Sequence, residues 1–137
     1  MTGSKVASLR EYCRSTDRSF LTFEYRGLLE DCYNTVLSDW VSDALSVLDN
    51  CFPESTTGCA APAQNNPLAQ PTPILVGSSM GAWIALHVAI QRRVAGIVCV
   101  AAAVDFTVDL EEELQEASPD KFGFYRRPTE YSTEPYP

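Results

Sequence analysis

The sequence is poor in histidine and in basic residues. Its 137 residues include one histidine, His87, and ten lysines and arginines against 18 aspartates and glutamates. A zinc site needs a set of histidine and cysteine ligands that this composition does not offer. The formal net charge of -8 repels phosphate backbones and anionic lipid surfaces. We therefore expect neither a metal nor a nucleic-acid partner.

Paired cysteines and uninterrupted apolar runs are also missing. The five cysteines are odd in number and none has Cys-x-x-Cys spacing, which predicts reduced, structural thiols. Cys99 lies in an apolar run and is predicted to be buried in the core. The longest apolar region, residues 74–90, is interrupted by glycines, serines and His87, so we expect no transmembrane segment.

The residues that are present describe one folded domain, with 45% hydrophobic and 20% charged residues. Apolar side chains recur at helical spacing in some stretches and form β-like runs in others. The predicted helices are Lys5–Arg14, with Ser4 as its N-cap, Thr35–Asn50 and Met80–Arg92; the predicted strands are Phe20–Tyr25, Ile74–Val76 and Val94–Val104, the last buried on both faces. Strands that alternate with helices in this way predict an α/β fold with a parallel sheet.

Two segments interrupt this alternation. Residues 52–73 contain Pro53, Pro62, Pro67, Pro71 and Pro73 among small and polar residues, which predicts an irregular surface insertion. Glutamates at 111–113 and 116 predict a short acidic helix with a solvated face. The end of the chain, from Pro119, shows no period.

The most informative stretch is Gly77-Ser78-Ser79-Met80-Gly81, which follows the apolar run from Ile74 and leads into a predicted helix. A serine presented for attack on a carbonyl needs a sharp strand-to-helix turn, which leaves little room beside the residues two before and two after it. Gly77 and Gly81 stand at those positions, and the helix directs its free N–H groups and positive dipole end at the same point. The pattern predicts a nucleophile elbow with Ser79 as the nucleophile; the alternative is an ordinary glycine-flanked turn.

Three motifs together resemble the α/β-hydrolase superfamily: Gly77-Ser78-Ser79-Met80-Gly81-Ala82-Trp83, Phe23-Glu24-Tyr25-Arg26-Gly27 before it, and Ala101-Ala102-Ala103-Val104-Asp105-Phe106 after it. Within the superfamily the chain is similar to the branch of mitochondrial thioesterases and acyl-glucuronide esterases that remove palmitoyl groups from cysteines. Met1-Thr2-Gly3-Ser4-Lys5 matches the stretch that follows the oxyanion loop in that branch. The resemblance implies a three-layer core fragment with a parallel sheet, in which the central strands and helices are present and flanking strands are missing. It further implies a single partial domain over residues 1–137, with a cap region that begins near Leu110.

The resemblance also implies the site. Ser79 would attack the carbonyl, the backbone N–H of Met80 would be one oxyanion donor, and the second donor would come from a loop before Met1. The superfamily's acid and histidine follow the serine, yet no histidine follows His87. His87 lies eight residues beyond Ser79 on the same predicted helix, a rise of about 12 Å, and a general base must approach within about 3 Å. Asp105 is a candidate for the acid or, alternatively, a turn or cap residue.

The resemblance thus implies a serine hydrolase that acts on acyl thioesters or carboxylic esters and needs no cofactor. We expect the isolated chain to be weak or inactive. Its substrate would be a small molecule or an acylated protein. The alternative is a non-catalytic interaction or regulatory module. The resemblance implies a mitochondrial location, with the cytoplasm as the alternative, because acidic residues and helical spacing near the N-terminus favour a folded helix over a transit peptide.

Overall fold

The computed structural model of the chain describes residues 3–27, 35–53, 72–111, 118–119, 121, 123, 125, 127–129 and 132–136. Four helices and four strands lie in these ranges. The helices are α1 (Ser4–Ser15), α2 (Leu37–Cys51), α3 (Met80–Gln91) and α4 (Phe106–Asp109), and the strands are β1 (Ile74–Ser78), β2 (Gly96–Val100), β3 (Arg127–Thr129) and β4 (Ser132–Tyr136).

The centre of the structure is the unit β1–α3–β2. The two strands pair in parallel, from Ile74 opposite Gly96 to Ser78 opposite Val100. Parallel neighbours need a crossover connection, and α3 supplies it. This arrangement confirms the predicted α/β class and the predicted parallel sheet.

The core lies between α2 and α3. The apolar positions of α2 recur at helical spacing, so one side of the helix can pack while serines and aspartates remain on the other. The side chains of Trp40, Leu48, Ile84 and Val88 are each 5% exposed or less and form one cluster. This packing fixes α3, and with it the turn that precedes α3.

Two polar links reinforce the same core. The Trp40 indole Nε1 donates a hydrogen bond of 3.0 Å to the carbonyl of Arg26, which joins residues 14 positions apart. Arg92, just after α3, donates to both carboxylate oxygens of Asp49 on α2, at 2.7 and 2.9 Å. These hydrogen bonds hold the pKa of Asp49 below its usual value, against a smaller opposing effect of burial.

Several local predictions were wrong. Residues 20–25 form no strand, because no neighbouring strand pairs with them among the described residues. The N-cap of α1 is Gly3 rather than Ser4, and no side chain makes a capping hydrogen bond at the start of this helix. The antiparallel pair β3 and β4 was not predicted, because residues after Pro119 show no alternation of apolar and polar side chains.

The predicted burial of residues 94–104 on both faces was also wrong. Within β2, the side chains of Val98 and Val100 are 49% and 43% exposed. Cys99, expected in the core, is exposed as well. In the described part of the chain β2 pairs with β1 alone, so its apolar residues lie at a sheet edge.

Some predictions fall outside the described residues. Most of the proline-rich insertion, residues 54–71, is among them, and so are residues 112–117 of the predicted acidic helix. No helix within the described ranges combines the length and hydropathy that crossing a membrane requires.

Candidate active site

Ser79 stands between the last residue of β1 and the first residue of α3. Its backbone has φ 54° and ψ -124°, a conformation that few residues other than glycine adopt. Its N–H donates to the carbonyl of Val100 at 3.0 Å, so the strand pairing extends into the turn. The residue is exposed. A strained backbone of this kind costs about 1–3 kcal/mol and is common at functional sites.

The two flanking glycines are not equivalent in the structure. A Cβ atom added to Gly77 would lie 2.6 Å from the Cα of Ala82 and also against the backbone of Gly81. A Cβ added to Gly81 would meet nothing within 4 Å. The tight approach of β1 and α3 therefore requires glycine at residue 77. The predicted steric need for glycine at residue 81 was wrong.

The first turn of α3 begins directly after Ser79, at Met80. The N–H groups in the first turn of a helix have no partner within that helix, so they are available to an anion above the turn. One of these first-turn N–H groups, that of Ala82, donates to the carbonyl of Ser79 at 2.9 Å, and the same carbonyl accepts the N–H of Ala103 at 3.5 Å. Ser79 and its neighbours thus have a fixed backbone, with the N–H of Met80 at the start of the helix.

Asp105 belongs to the turn that follows β2. It is exposed and immediately precedes α4, and its carbonyl accepts the N–H of Val108 at 2.8 Å. Its side chain makes no capping hydrogen bond. The neighbouring Phe106 ring packs edge-on against Trp83 of α3 at 5.6 Å between centroids, which holds the turn against the helix that follows the elbow.

His87 lies in α3 and is not brought to Ser79. Its ring contacts the ring of Trp83, one turn nearer the start of the helix, with the two planes tilted by 52° and 3.9 Å between centroids. Because α3 is continuous from Met80 to Gln91, the rise from residue 79 to residue 87 is about 12 Å. The only histidine of the sequence is therefore a packing residue of the helix.

Lys5 is a contact at the site that sequence reasoning did not anticipate. Its Nζ donates a hydrogen bond of 2.9 Å to the Oγ of Ser78, the residue before the candidate nucleophile. The two residues are 73 positions apart, so no periodicity or local motif could have paired them.

The described residues contain no group of three or more histidine, cysteine, aspartate or glutamate side chains arranged to hold a metal ion. Cys13, Cys51 and Cys99 are free thiols. At the turn itself, the structure presents an exposed serine hydroxyl with the first backbone N–H groups of α3 beside it.

The chain is similar to proteins of known name along nearly its whole length. It is 31% identical over 145 aligned positions to palmitoyl-protein thioesterase ABHD10, mitochondrial, of Bos taurus, an alignment with 98% of the chain and 41% of the relative. The Homo sapiens protein of the same name is 32% identical over 143 positions, with the same coverage of both chains. The Rattus norvegicus protein is 31% identical over 148 positions, which cover 99% of the chain and 43% of the relative.

The chain spans about two fifths of the length of these relatives. No family profile and no solved structure matches it. Over nearly its whole length, then, the chain is similar to the mitochondrial palmitoyl-protein thioesterase ABHD10, a protein of the α/β-hydrolase superfamily.

Proposed function

We propose that the chain carries the nucleophile of a serine hydrolase that acts on acyl thioesters or carboxylic esters. The observation that carries this proposal is the backbone of Ser79, a non-glycine residue with positive φ in a strand-to-helix turn. An ordinary glycine-flanked turn places the glycine, not the serine, at the strained position. Here the strain falls on the one residue whose side chain the reaction needs, and that side chain is exposed.

The reaction would proceed by acyl transfer. The Oγ of Ser79 forms a bond to the carbonyl carbon, the π electron pair moves to the carbonyl oxygen, and the serine proton goes to solvent water, since no histidine of the chain reaches Ser79. The N–H of Met80 would stabilise the resulting oxyanion. When the electron pair returns, the bond to the thiol or alcohol breaks, the leaving group takes a proton, and an acyl-serine remains for water to hydrolyse.

We further propose that the chain alone is a weak catalyst or an inactive one. His87 is about 12 Å along α3 from Ser79, beyond the reach of a general base. Asp105 is proposed as the triad acid, since it follows the strand next to the elbow. Within this chain Asp105 has no histidine to orient, so it does not raise the rate. Removal of a triad member typically leaves residual catalysis of about 10³–10⁴ over water.

The substrate class and the compartment are proposed from the relatives. Their printed name is that of a mitochondrial palmitoyl-protein thioesterase. We infer that the substrate is an acylated protein or a small acyl ester, that the protein works in the mitochondrion, and that no cofactor takes part. We also infer one partial hydrolase domain over residues 1–137, with a cap that begins near Leu110.

Covalent labelling tests the assignment of the nucleophile. The full 137-residue chain is incubated with a serine-reactive fluorophosphonate, and the modified residue is mapped by mass spectrometry. Because no histidine of the chain reaches Ser79, we expect slow but selective modification of one serine, Ser79, and no labelling of the Ser79→Ala variant. Ser46→Ala is the matched control, because Ser46 is an exposed serine whose hydroxyl only donates to the carbonyl of Ser42 in α2. Labelling that persists in Ser79→Ala contradicts the assignment.

A second candidate function is a non-catalytic interaction module. The observation in its favour is the exposed apolar surface of the sheet, where Ile74, Val76, Val98 and Val100 are 43–55% exposed. Large exposed apolar patches mark interaction surfaces. A chain in which Ser79 is labelled no faster than the ordinary exposed serine Ser46, while an irrelevant serine hydrolase is labelled beside it, would favour this candidate over the hydrolase.

A further inference from the structure

One positive charge is held against the elbow by a segment far away in the sequence. Lys5 is in the first turn of α1, and its Nζ donates to the Oγ of Ser78 at 2.9 Å. An ammonium group has three N–H donors, so one is used for Ser78 and two remain. Ser78 also pairs with Val100 in the sheet, which gives this anchor point a fixed position.

Lys5 differs from three arginines of the described residues in the kind of group that it contacts. Arg14, Arg26 and Arg92 each bond to a carboxylate, of Glu11, Asp43 and Asp49 respectively. Lys5 bonds instead to a neutral hydroxyl, and no ion pair joins it to any carboxylate in the described ranges. Lys5 therefore places a positive charge beside the turn that carries Ser79, with no carboxylate paired to it in the part of the chain that the structure describes.

The distance is short enough for that charge to act on the reaction. The path from Nζ through the Ser78 Oγ to the Cα of Ser79 is about 10 Å at most, from the 2.9 Å hydrogen bond, ordinary bond lengths and the spacing of consecutive Cα atoms. A unit charge at this range stabilises a developing oxyanion at a partly solvated site, and salt weakens the effect.

We propose that Lys5 is a positioning residue for Ser79: its ammonium group ties α1 to the elbow through the Ser78 hydroxyl and provides positive charge beside the developing oxyanion. The inference rests on the proposed function of Ser79 as the nucleophile. It adds a group from α1 to a site otherwise built from the turn and α3.

The test measures the rate at which Ser79 is phosphonylated by a fluorophosphonate in the full chain. Lys5→Met removes the charge and keeps most of the aliphatic stem, and Lys5→Arg keeps the charge. Arg10→Gln is the matched control, because it removes one positive charge from the same helix at a position where the guanidinium lies over the Phe20 ring, 5.8 Å from its centroid. Both residues replaced, Lys5 and Arg10, are exposed and lie on α1, which has no buried residue.

We expect Lys5→Met to slow labelling by about three- to tenfold at low salt, with the difference reduced at 0.5 M salt by about half or more. Lys5→Arg should restore the rate to within about twofold, and Arg10→Gln should leave it almost unchanged. Equal rates for Lys5→Met and the unmodified chain would overturn the proposal. So would equal slowing by Lys5→Met and Arg10→Gln, because it would show an effect of net charge alone.

Amide hydrogen exchange separates this proposal from the assignment of the nucleophile. The N–H of Ser79 is bonded to Val100, and loss of the Lys5 anchor should speed its exchange by about threefold or more in Lys5→Met but not in Arg10→Gln. If Ser79 is not labelled at all, the proposed function fails, and unchanged exchange in Lys5→Met then also overturns the role of Lys5. Faster exchange of the Ser79 N–H in Lys5→Met, without any labelling of Ser79, supports the tie between Lys5 and Ser78 but not an effect of Lys5 on the reaction.

Discussion

Replacement of Gly77 by alanine is predicted to damage the elbow, whereas the same replacement at Gly81 is predicted to be tolerated. The added Cβ at residue 77 would lie 2.6 Å from Ala82 Cα and against the Gly81 backbone. These are backbone atoms, so no side-chain rotation can relieve the overlap, and β1 and α3 must move apart. A forced shift of this size costs about 3 kcal/mol.

The expected result at Gly81 has the opposite sign. A methyl group there meets nothing within 4 Å, and the residue lies in α3. Replacing a helical glycine with alanine reduces the freedom of the unfolded chain, so Gly81→Ala should stabilise the fold by about 0.5 kcal/mol.

Urea unfolding of the two variants and the unmodified chain measures both effects. With a denaturant slope of about 1.5 kcal/mol per molar, Gly77→Ala should lower the midpoint by roughly 2 M, and Gly81→Ala should raise it slightly. A Gly77→Ala chain within about 0.5 kcal/mol of the unmodified protein, or equal losses in the two variants, would refute the steric reasoning.

Two further predictions concern the core that supports the elbow. Trp40→Phe removes the indole donor of a fully buried side chain and leaves a gap and an unpaired carbonyl; we expect a loss of about 2–3 kcal/mol, seen as a thermal midpoint lower by several degrees. Arg92→Gln should lower the free energy of unfolding near neutral pH, because Arg92 holds the pKa of Asp49 below its ordinary value. The stabilisation is present above about pH 4 and is lost as the pH falls through the lowered pKa of the folded state, so unfolding curves of the variant and the unmodified chain should converge in acid. A difference that persists unchanged at pH 2 would contradict this account.

The elements that the sequence predicted correctly are those specified by local pattern. The apolar stripe of α2 defines a helix whichever partner it finds, and α2 indeed buries Trp40 and Leu48. The succession of β1, a tight turn at Ser79 and α3 is similarly local, because an apolar run, a glycine and a helical stretch follow one another in the sequence. The roles of Ser79, Met80 and Asp105 in catalysis stay predictions.

The features that the sequence did not predict depend on contacts between distant residues. Alternation in residues 20–25 is compatible with a strand, but a strand exists only when another strand pairs with it. The hydrogen bond from Lys5 to Ser78 joins two motifs that sequence reasoning treated separately. The difference between Gly77 and Gly81 likewise depends on distant geometry. Only a Cβ at residue 77 would meet the backbone of α3, and the sequence does not reveal how closely β1 and α3 approach.

The exposed apolar side of the sheet also affects the heat capacity of the chain. The heat capacity of unfolding arises mainly from apolar surface that is dry in the native state and wet in the unfolded one. Ile74 and Val76 on β1, and Val98 and Val100 on β2, are already 43–55% hydrated in the native chain. Their contribution is therefore roughly half that of the same residues in a sheet covered on both sides, so the curve of stability against temperature is flatter than for a fully covered sheet.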